Sequence, residues 1–463
     1  MRILLISTYE LGRQPFGLAS PAAWLREAGH DVVCLDLSRQ RLADAQVCAA
    51  DLVACYLPMH TATRLAMPVL RRVRTLNPTA HLCAYGLYAP LNESQLRAVG
   101  VETILDGEFE AELVALASRS SSTSISNGSS ESSGSNGSNG SSPRPDAMPR
   151  LQFRVPDRRD LPMLSRYAQL HVNGETRIVG YTEATRGCKH RCRHCPIVPI
   201  YDGRFRVVPV DVVSADIRQQ VEAGARHITF GDPDFFNGPA HALAIISALS
   251  REWPTLTYDV TIKVEHLLKQ QSLLPRLRDT GCLFVTSAVE AVDDDILARL
   301  DKHHTRADFI AAVAACRAAG LTLVPTFVTF TPWTTAAGYY DLVRTIADLE
   351  LVPNVPSIQW AIRLLIPEGS RLLELDDIRG LIEPFDPEAL VYRWQHPDPR
   401  VDALQRAIER HVASTRRDDR LEVFRAVFAL AQAAASESAS GLLPPVPPMV
   451  RATVPYLDEP WYC

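Results

Sequence analysis

The 463 residues are 46% apolar and 22% charged, with a formal net charge of -5, the make-up of an ordinary globular chain long enough for about three domains. The mild acidity argues against a surface for nucleic acid or anionic membranes, and no apolar run nears the roughly 18 residues that a membrane span needs. The first residues, MRILLISTYELG, lack the charged head, long apolar stretch and cleavage site of a secretion signal, so a cytoplasmic protein is expected.

Strand and helix patterns alternate from the start. RILLIST, HDVVCLDL, DLVACYL and AHLCAYG read as buried strands, with PAAWLREAG and AMPVLRRVRTLNP as helices between them and VETILDGEFEAEL closing the unit. Near-continuous apolar strands alternating with helices imply a doubly wound parallel sheet covered on both faces. Ligands of such α/β sheets bind beyond the strand carboxyl ends, here the loops Thr8–Pro15, Tyr56–Thr61 and Tyr85–Asn92. This front module spans residues 1–117. Residues 118–150 follow, almost only Ser, Gly and Asn from Ser120 to Ser142, a composition expected of a flexible hydrated linker.

Over residues 151–370 the alternation resumes. IVGYTEAT, RHITFGD, TYDVTIKVE, CLFVTSAVE, TLVPTFVTF and SIQWAIRLL are the expected strands, separated by helical patterns such as SADIRQQVEAG and RADFIAAVAACRAAG. Six strand–helix units suit a full or partial barrel of parallel strands, whose chemistry sits at the strand carboxyl ends. Residues 371–463 read as a helical extension and a proline-rich tail. Of the ten cysteines, Cys34, Cys48, Cys55, Cys83, Cys282 and Cys316 lie among apolar or Ala-rich residues and are expected to be buried hydrophobes. No disulfide scaffold is expected in so long a cytosolic chain.

The stretch ATRGCKHRCRHCPIVPIYDGRFR holds three more cysteines, Cys188, Cys192 and Cys195. Thiolates this close together in one loop can take three corners of a cubane iron–sulfur cluster and leave one iron open. The loop follows a strand and is basic (Arg186, Lys189, His190, Arg191, Arg193), which favours thiolates and offsets the cluster's negative charge. Gly187 can take backbone conformations that other residues resist. The alternative is a structural zinc site with His190 or His194 as fourth ligand, although no second close pair of ligands follows.

At these residues the chain resembles the radical SAM superfamily, in which CxxxCxxC binds a [4Fe–4S] cluster. The resemblance implies that the open iron takes the amino and carboxylate groups of S-adenosylmethionine (SAM). An electron then cleaves SAM to a 5′-deoxyadenosyl radical. The likeness extends over residues 150–370 and implies a partial (β/α)6 barrel. It places Gly231, Asp232 and Asp234 at the SAM amino group, Lys263 near its carboxylate, and Ser287 and Glu290 at its ribose and methionyl parts. His194 stands where the family often has an aromatic residue. As structural alternatives, Asp234 suits a turn after Pro233, and Asp293 to Asp295 suit a helix start.

The front module resembles the cobalamin-binding domains fused to many such enzymes, so cobalamin is an implied cofactor. The DxHxxG motif that supplies a cobalt-ligating histidine in some families is missing. His60 is the one histidine at a strand end of this module. The tail LDEPWYC resembles that of a radical SAM group with a Cys–Sec or Cys–Cys pair before Ala–Glu–Pro, but Leu457–Asp458 stand in the pair's place and only Cys463 remains. The expected function is radical modification of a small molecule or peptide, with a reductant such as flavodoxin or ferredoxin and no membrane or nucleic-acid partner. If cobalamin binds, methyl transfer is favoured. The other readings are a cobalamin- or SAM-binding sensor without turnover and a zinc-stabilised binding protein.

Overall fold

The computed structural model describes residues 1–123, 151–415, 420–435 and 456–458. Residues 124–150 of the expected linker, and Cys463, lie outside them. The described chain divides into two compact units: Met1–Glu10, Pro15–Pro162 and Ile200–Asp202 form one, and Leu11–Gln14, Met163–Pro199 and the chain from Gly203 form the other.

In the first unit the strands are β1 (Arg2–Ser7), β2 (Asp31–Asp36), β3 (Leu52–Tyr56), β4 (His81–Tyr85) and β5 (Thr103–Leu105). The helices are α1 (Phe16–Glu27), α2 (Asp44–Ala49), α3 (His60–Leu76), α4 (Glu93–Ala98) and α5 (Glu110–Thr123). The sheet is parallel, in the order β2-β1-β3-β4-β5. Leu18, Ala22 and Leu25 of α1 and Leu113 and Leu116 of α5 bury the face carrying Leu5, Ala54 and Cys83. Ser20 of α1 donates to Glu110 of α5 at 2.6 Å. Residues after the linker return to this unit: the Asp157 amide donates to the Ala19 carbonyl at 2.9 Å, and Arg26 pairs with Asp157 at 2.9 Å.

The strand order reverses between β1 and β3, the place where such sheets open a ligand crevice. At the ends of β3 and β4, aromatic side chains join the core. The rings of Tyr56, Tyr85 and Phe109 lie 4.5–5.9 Å apart, and the Tyr85 hydroxyl donates to the Gly17 carbonyl at 2.9 Å. Residue 17 must be glycine, because a Cβ there would stand 2.2 Å from the Tyr56 ring.

The second unit opens with β6 (Gln169–Val172) and β7 (Glu175–Thr182), an antiparallel hairpin. Its turn residues Asn173 and Gly174 both have positive φ, as two-residue hairpins prefer. After β8 (Thr185–Gly187), α6 (Val198–Tyr201) and β9 (Phe205–Val207) comes the barrel: α7 (Val210–Glu222), β10 (His227–Phe230), α8 (Pro239–Glu252), β11 (Thr257–Thr261), α9 (Val264–Lys269), α10 (Leu274–Asp279), β12 (Cys282–Glu290), α11 (Asp294–Arg299), α12 (Arg306–Ala318), β13 (Thr322–Phe327) and α13 (Ala336–Asp348). Strands β7, β10, β11, β12 and β13 are parallel neighbours.

The expected sixth strand, SIQWAIRLL, is reduced to one parallel bridge, Phe330 to Arg363, and Ser357–Trp360 is a 3-10 turn. Side chains have taken the ladder's hydrogen bonds. The Phe327 amide donates to Gln359 Oε1 at 2.7 Å, and the Thr329 hydroxyl donates to the carbonyls of Gln359 and Ile362.

The carboxyl-terminal region is less purely helical than expected. α14 (Asp376–Arg379) leads into an antiparallel pair, β14 (Ile382–Asp386) and β15 (Val391–Trp394), before α15 (Pro399–Ser414) and α16 (Arg420–Ala435). Phe424 and Phe428 of α16 pack on Trp360 and Tyr340. The short β16 (Tyr456–Leu457) adds antiparallel to β6. Asp458 accepts from the Gln169 amide and pairs with His171 at 3.0 Å, so Leu457–Asp458 tie the tail to a sheet edge. Five of the six scattered cysteines are buried. Cys48 is exposed, because the two-turn α2 covers the sheet mainly through Val47.

Candidate metal centre

β7 ends at Thr182, the chain turns into β8, and β9 pairs back on it. Between them the cysteine loop starts at Gly187, at φ +78. Asn237, just beyond β10, holds the first part: its Oδ1 accepts the Lys189 amide at 3.1 Å and lies 3.9 Å from the Cys188 sulfur. The Cys195 amide donates to the Cys192 carbonyl at 3.2 Å, making a tight turn. The two residues inside that turn are fixed by the β12–α11 unit. Arg193 donates from its amide to the Leu300 carbonyl and from its guanidinium to the carbonyls of Ala298 and Arg299. These are the free carbonyls at a helix carboxyl end, which a cation satisfies. His194 bonds Glu290 at 3.1 Å.

Burial pushes the Cys195 thiol up to about 12, with further upward push from Cys192 and Cys188, and burial pushes Cys188 up to about 11. The three sulfurs are close enough to feel one another. The basic residues of the loop do not favour the thiolates as the sequence suggests, because they are spent elsewhere. Arg186 pairs with Glu183 at 2.9 Å, Arg193 caps α11, and Lys189 lies over the Phe205 ring. The cations beside the sulfurs come from other elements. Lys263, at the start of α9, puts its Nζ 3.7 Å from the Cys192 sulfur. Lys302, past α11, feels both Cys192 and Cys195. The buried Cys188 and Cys192 and the half-buried Cys195, flanked by two buried ammonium groups, are a donor set suited to an anionic iron–sulfur cluster, which ionises its ligands on binding. Of the two histidines offered for zinc, His194 faces Glu290, and His190 faces Asp234 and Glu265 at 3.5 and 3.6 Å; His190, Asp234 and His266 bring one ligand atom each within 4.8 Å of one another.

The remaining sequence candidates divide. Gly231 packs under Tyr181, whose hydroxyl stands 1.9 Å from where a Cβ would be. Asp232 is buried and accepts from the Thr185 hydroxyl at 2.5 Å and the Ala184 amide at 3.0 Å; burial raises its pKa to about 7. Asp234, fully buried, accepts from the Phe236 amide at 3.1 Å and His266 Nδ1 at 2.7 Å. Burial alone would raise its pKa, but His190 and His266 pull it below the usual range. Both carboxylates thus brace the loops rather than stand free. Ser287 is fully buried on β12, and its hydroxyl has no hydrogen-bond partner among the described residues. Glu290 is held by Lys302 at 3.3 Å and His194; these outweigh burial and pull its pKa down to about 2. Asn237, His266 and Lys302 are the site residues that the sequence leaves unmarked.

Residues 182–335 match the radical SAM superfamily model. A hopanoid C-3 methylase of Methylococcus capsulatus is 24% identical over 71% of this chain and 64% of its own length. A tRNA-2-methylthio-N(6)-dimethylallyladenosine synthase of Chlorobium luteolum is 28% identical over 34% of this chain and 37% of its own length. The chain thus spans less than two thirds of these curated relatives. Among solved structures, the radical SAM methyltransferase TsrM of Kitasatospora setae, with cobalamin and a [4Fe–4S] cluster bound, aligns at TM-score 0.61 over 97% of this chain and 92% of its own, with 15% identity. The cobalamin-dependent SAM radical enzyme OxsB, with aqua-cobalamin bound, aligns at 0.66 over 94% and 72%, with 13% identity. With its parallel half-barrel, its cysteine loop at the strand ends and the superfamily match over both, this chain carries a radical SAM domain.

Proposed function

We propose that the chain is a radical SAM enzyme whose Cys188, Cys192 and Cys195 hold a [4Fe–4S] cluster with one iron left for SAM. The observation that carries this reading is the loop itself: three cysteines whose thiols feel one another, pinned by Asn237 on one side and by Arg193 and His194 on the other. Bound there, the cluster supplies the electron that splits SAM into methionine and a 5′-deoxyadenosyl radical. The chain's own residues place and shield that chemistry. The unpartnered Ser287 hydroxyl is available to a SAM hydroxyl, a group that buried polar atoms seek. Asp232 and Asp234 hold the loops around it. The substrate is a small molecule or peptide, and the reductant is of the flavodoxin or ferredoxin class. The relatives, a methylase and methylthiolating enzymes, favour methyl or other group transfer.

The first unit, from residue 1, has the five-stranded parallel sheet of a cobalamin-binding module, and the cobalamin-bound structures that it resembles support cobalamin as the cofactor for methyl transfer. No step is assigned to it. Anaerobic reconstitution, with and without hydroxocobalamin, tests the reading. The expected result is a brown protein with equal iron and sulfide that forms 5′-deoxyadenosine with dithionite and loses both properties on replacing any of the three cysteines by alanine. A colourless protein retaining one tight zinc would overturn it, and so would an intact cluster that never cleaves SAM.

A further inference from the structure

The two residues between Cys192 and Cys195 are gripped by a single β/α unit, and that unit carries a buried ion pair. β12 ends at Glu290, where its register on β13 shifts, and Glu290 sits at φ +70. Few side chains accept this backbone conformation, and such strain persists where surroundings over-determine it. The carboxylate is held between a histidine of the cysteine loop and Lys302. His194 Nε2 and Lys302 Nζ both reach Glu290 Oε1, at 3.1 and 3.3 Å. Lys302 lies just beyond α11, its amide bonded to the Leu297 carbonyl at 3.1 Å, and its residue is only 3% exposed. An ammonium this deep is costly unless paired. Glu290 supplies that pairing, and the thiols of Cys192 and Cys195 add to it: together they more than offset burial and raise the lysine's pKa.

We propose that the Glu290–Lys302 pair sets the reduction potential of the cluster, with Lys302 as the positioning cation that makes the added electron easier to accept. This rests on the cluster reading above. A cluster held by three thiolates gains a further negative charge on reduction, so a fixed buried cation beside two of those sulfurs stabilises the reduced state. The carboxylate anchors the cation and, being of opposite sign, tempers its effect. Lys263, on the Cys192 sulfur, acts in the same sense from the neighbouring strand end. Net charge and contacts at the sulfurs are the levers by which proteins move such potentials.

The test is an EPR-monitored redox titration of the reconstituted protein and its K302M, E290Q, K302R and E290Q/K302M variants, each checked for equal iron and sulfide. In K302M the ratio of reduced to oxidised cluster at a fixed potential should fall by at least about tenfold, the effect a unit charge still has at roughly 12 Å in a dielectric of about 20. E290Q should move it the opposite way. The double variant and K302R should both titrate close to the unaltered protein. If K302M does not fold, E290Q and K302R still read the effect. Coincident titrations of all variants, or K302M and E290Q moving together, would overturn the proposal while leaving the enzyme reading intact. An unaltered protein that assembles no cluster would remove both.

Discussion

Asp232 closes β10 with its carboxyl sealed from water. Burial pushes it up to about 7 in the folded chain, with partial relief from the Thr185 hydroxyl and the Ala184 amide. An unfolded aspartate titrates near 4. Between those values the folded state holds the extra proton, so this residue makes stability fall as pH climbs from about 4 to about 7 and contributes no slope above. Asp232→Asn is expected to flatten that part of the profile, read from urea midpoints of the cluster-free protein at several pH values; a variant with the unaltered slope would remove Asp232 as its source. His266 offers a second check. Replacing it by leucine leaves Asp234 with the Phe236 amide and the longer His190 contact. Leaving a buried carboxylate short of one hydrogen bond in this way costs about 1–3 kcal/mol, measurable by the same denaturation. At this scale the three cysteines were legible as one group because they lie within eight residues of a single loop. Lys302 and His266 were not, because they act through contacts outside any motif, Lys302 reaching Glu290 across 12 residues and His266 reaching Asp234 across 32.

The first sheet was readable because its strands are buried on both faces, and burial writes continuous apolar runs into the sequence. The packing of Tyr56, Tyr85 and Phe109 was not, since aromatic residues at strand ends look alike whether they face a helix or solvent. Gly17→Ala tests that packing. Its Cβ would meet the Tyr56 ring at 2.2 Å, an overpacking expected to cost about 1–3 kcal/mol, seen as a lower thermal midpoint. Tyr85→Ala is expected to cost about 3–5 kcal/mol as a large-to-small change in the same core. The sixth barrel strand was misread for a comparable reason. SIQWAIRLL has a strand's composition, but the Gln359 side chain accepts the Phe327 amide that a strand's carbonyl would have taken.

Across the whole chain, the two strand–helix modules and the tail were visible from composition and periodicity, whereas the tail's attachment was not. The carboxyl-terminal helices are part of the second unit's core. Phe424 covers Trp360, Phe428 packs on Tyr340, and Arg363 donates to the Trp394 carbonyl at 2.6 Å while its guanidinium lies over the Trp394 ring. A chain ending at residue 370 would expose Trp360, Tyr340 and Ile366 together, an apolar patch of the kind that drives association. Such a truncation is expected to be insoluble or aggregated on size exclusion, and a monomeric, cooperatively folding product would contradict this.

The sixth position of the barrel is stitched by two backbone hydrogen bonds only, from the Phe330 amide to the Ile362 carbonyl and from the Leu364 amide to the Phe330 carbonyl. A full ladder would have to unzip residue by residue, but here the bonds from the Phe327 amide to Gln359 and from the Thr329 hydroxyl to Gln359 and Ile362 carry the rest of the closure. The wall between β13 and Arg363 is therefore the part of the barrel whose closure depends most on side chains. Amide exchange at Phe330 and Leu364 should run well ahead of that in the middle of β12.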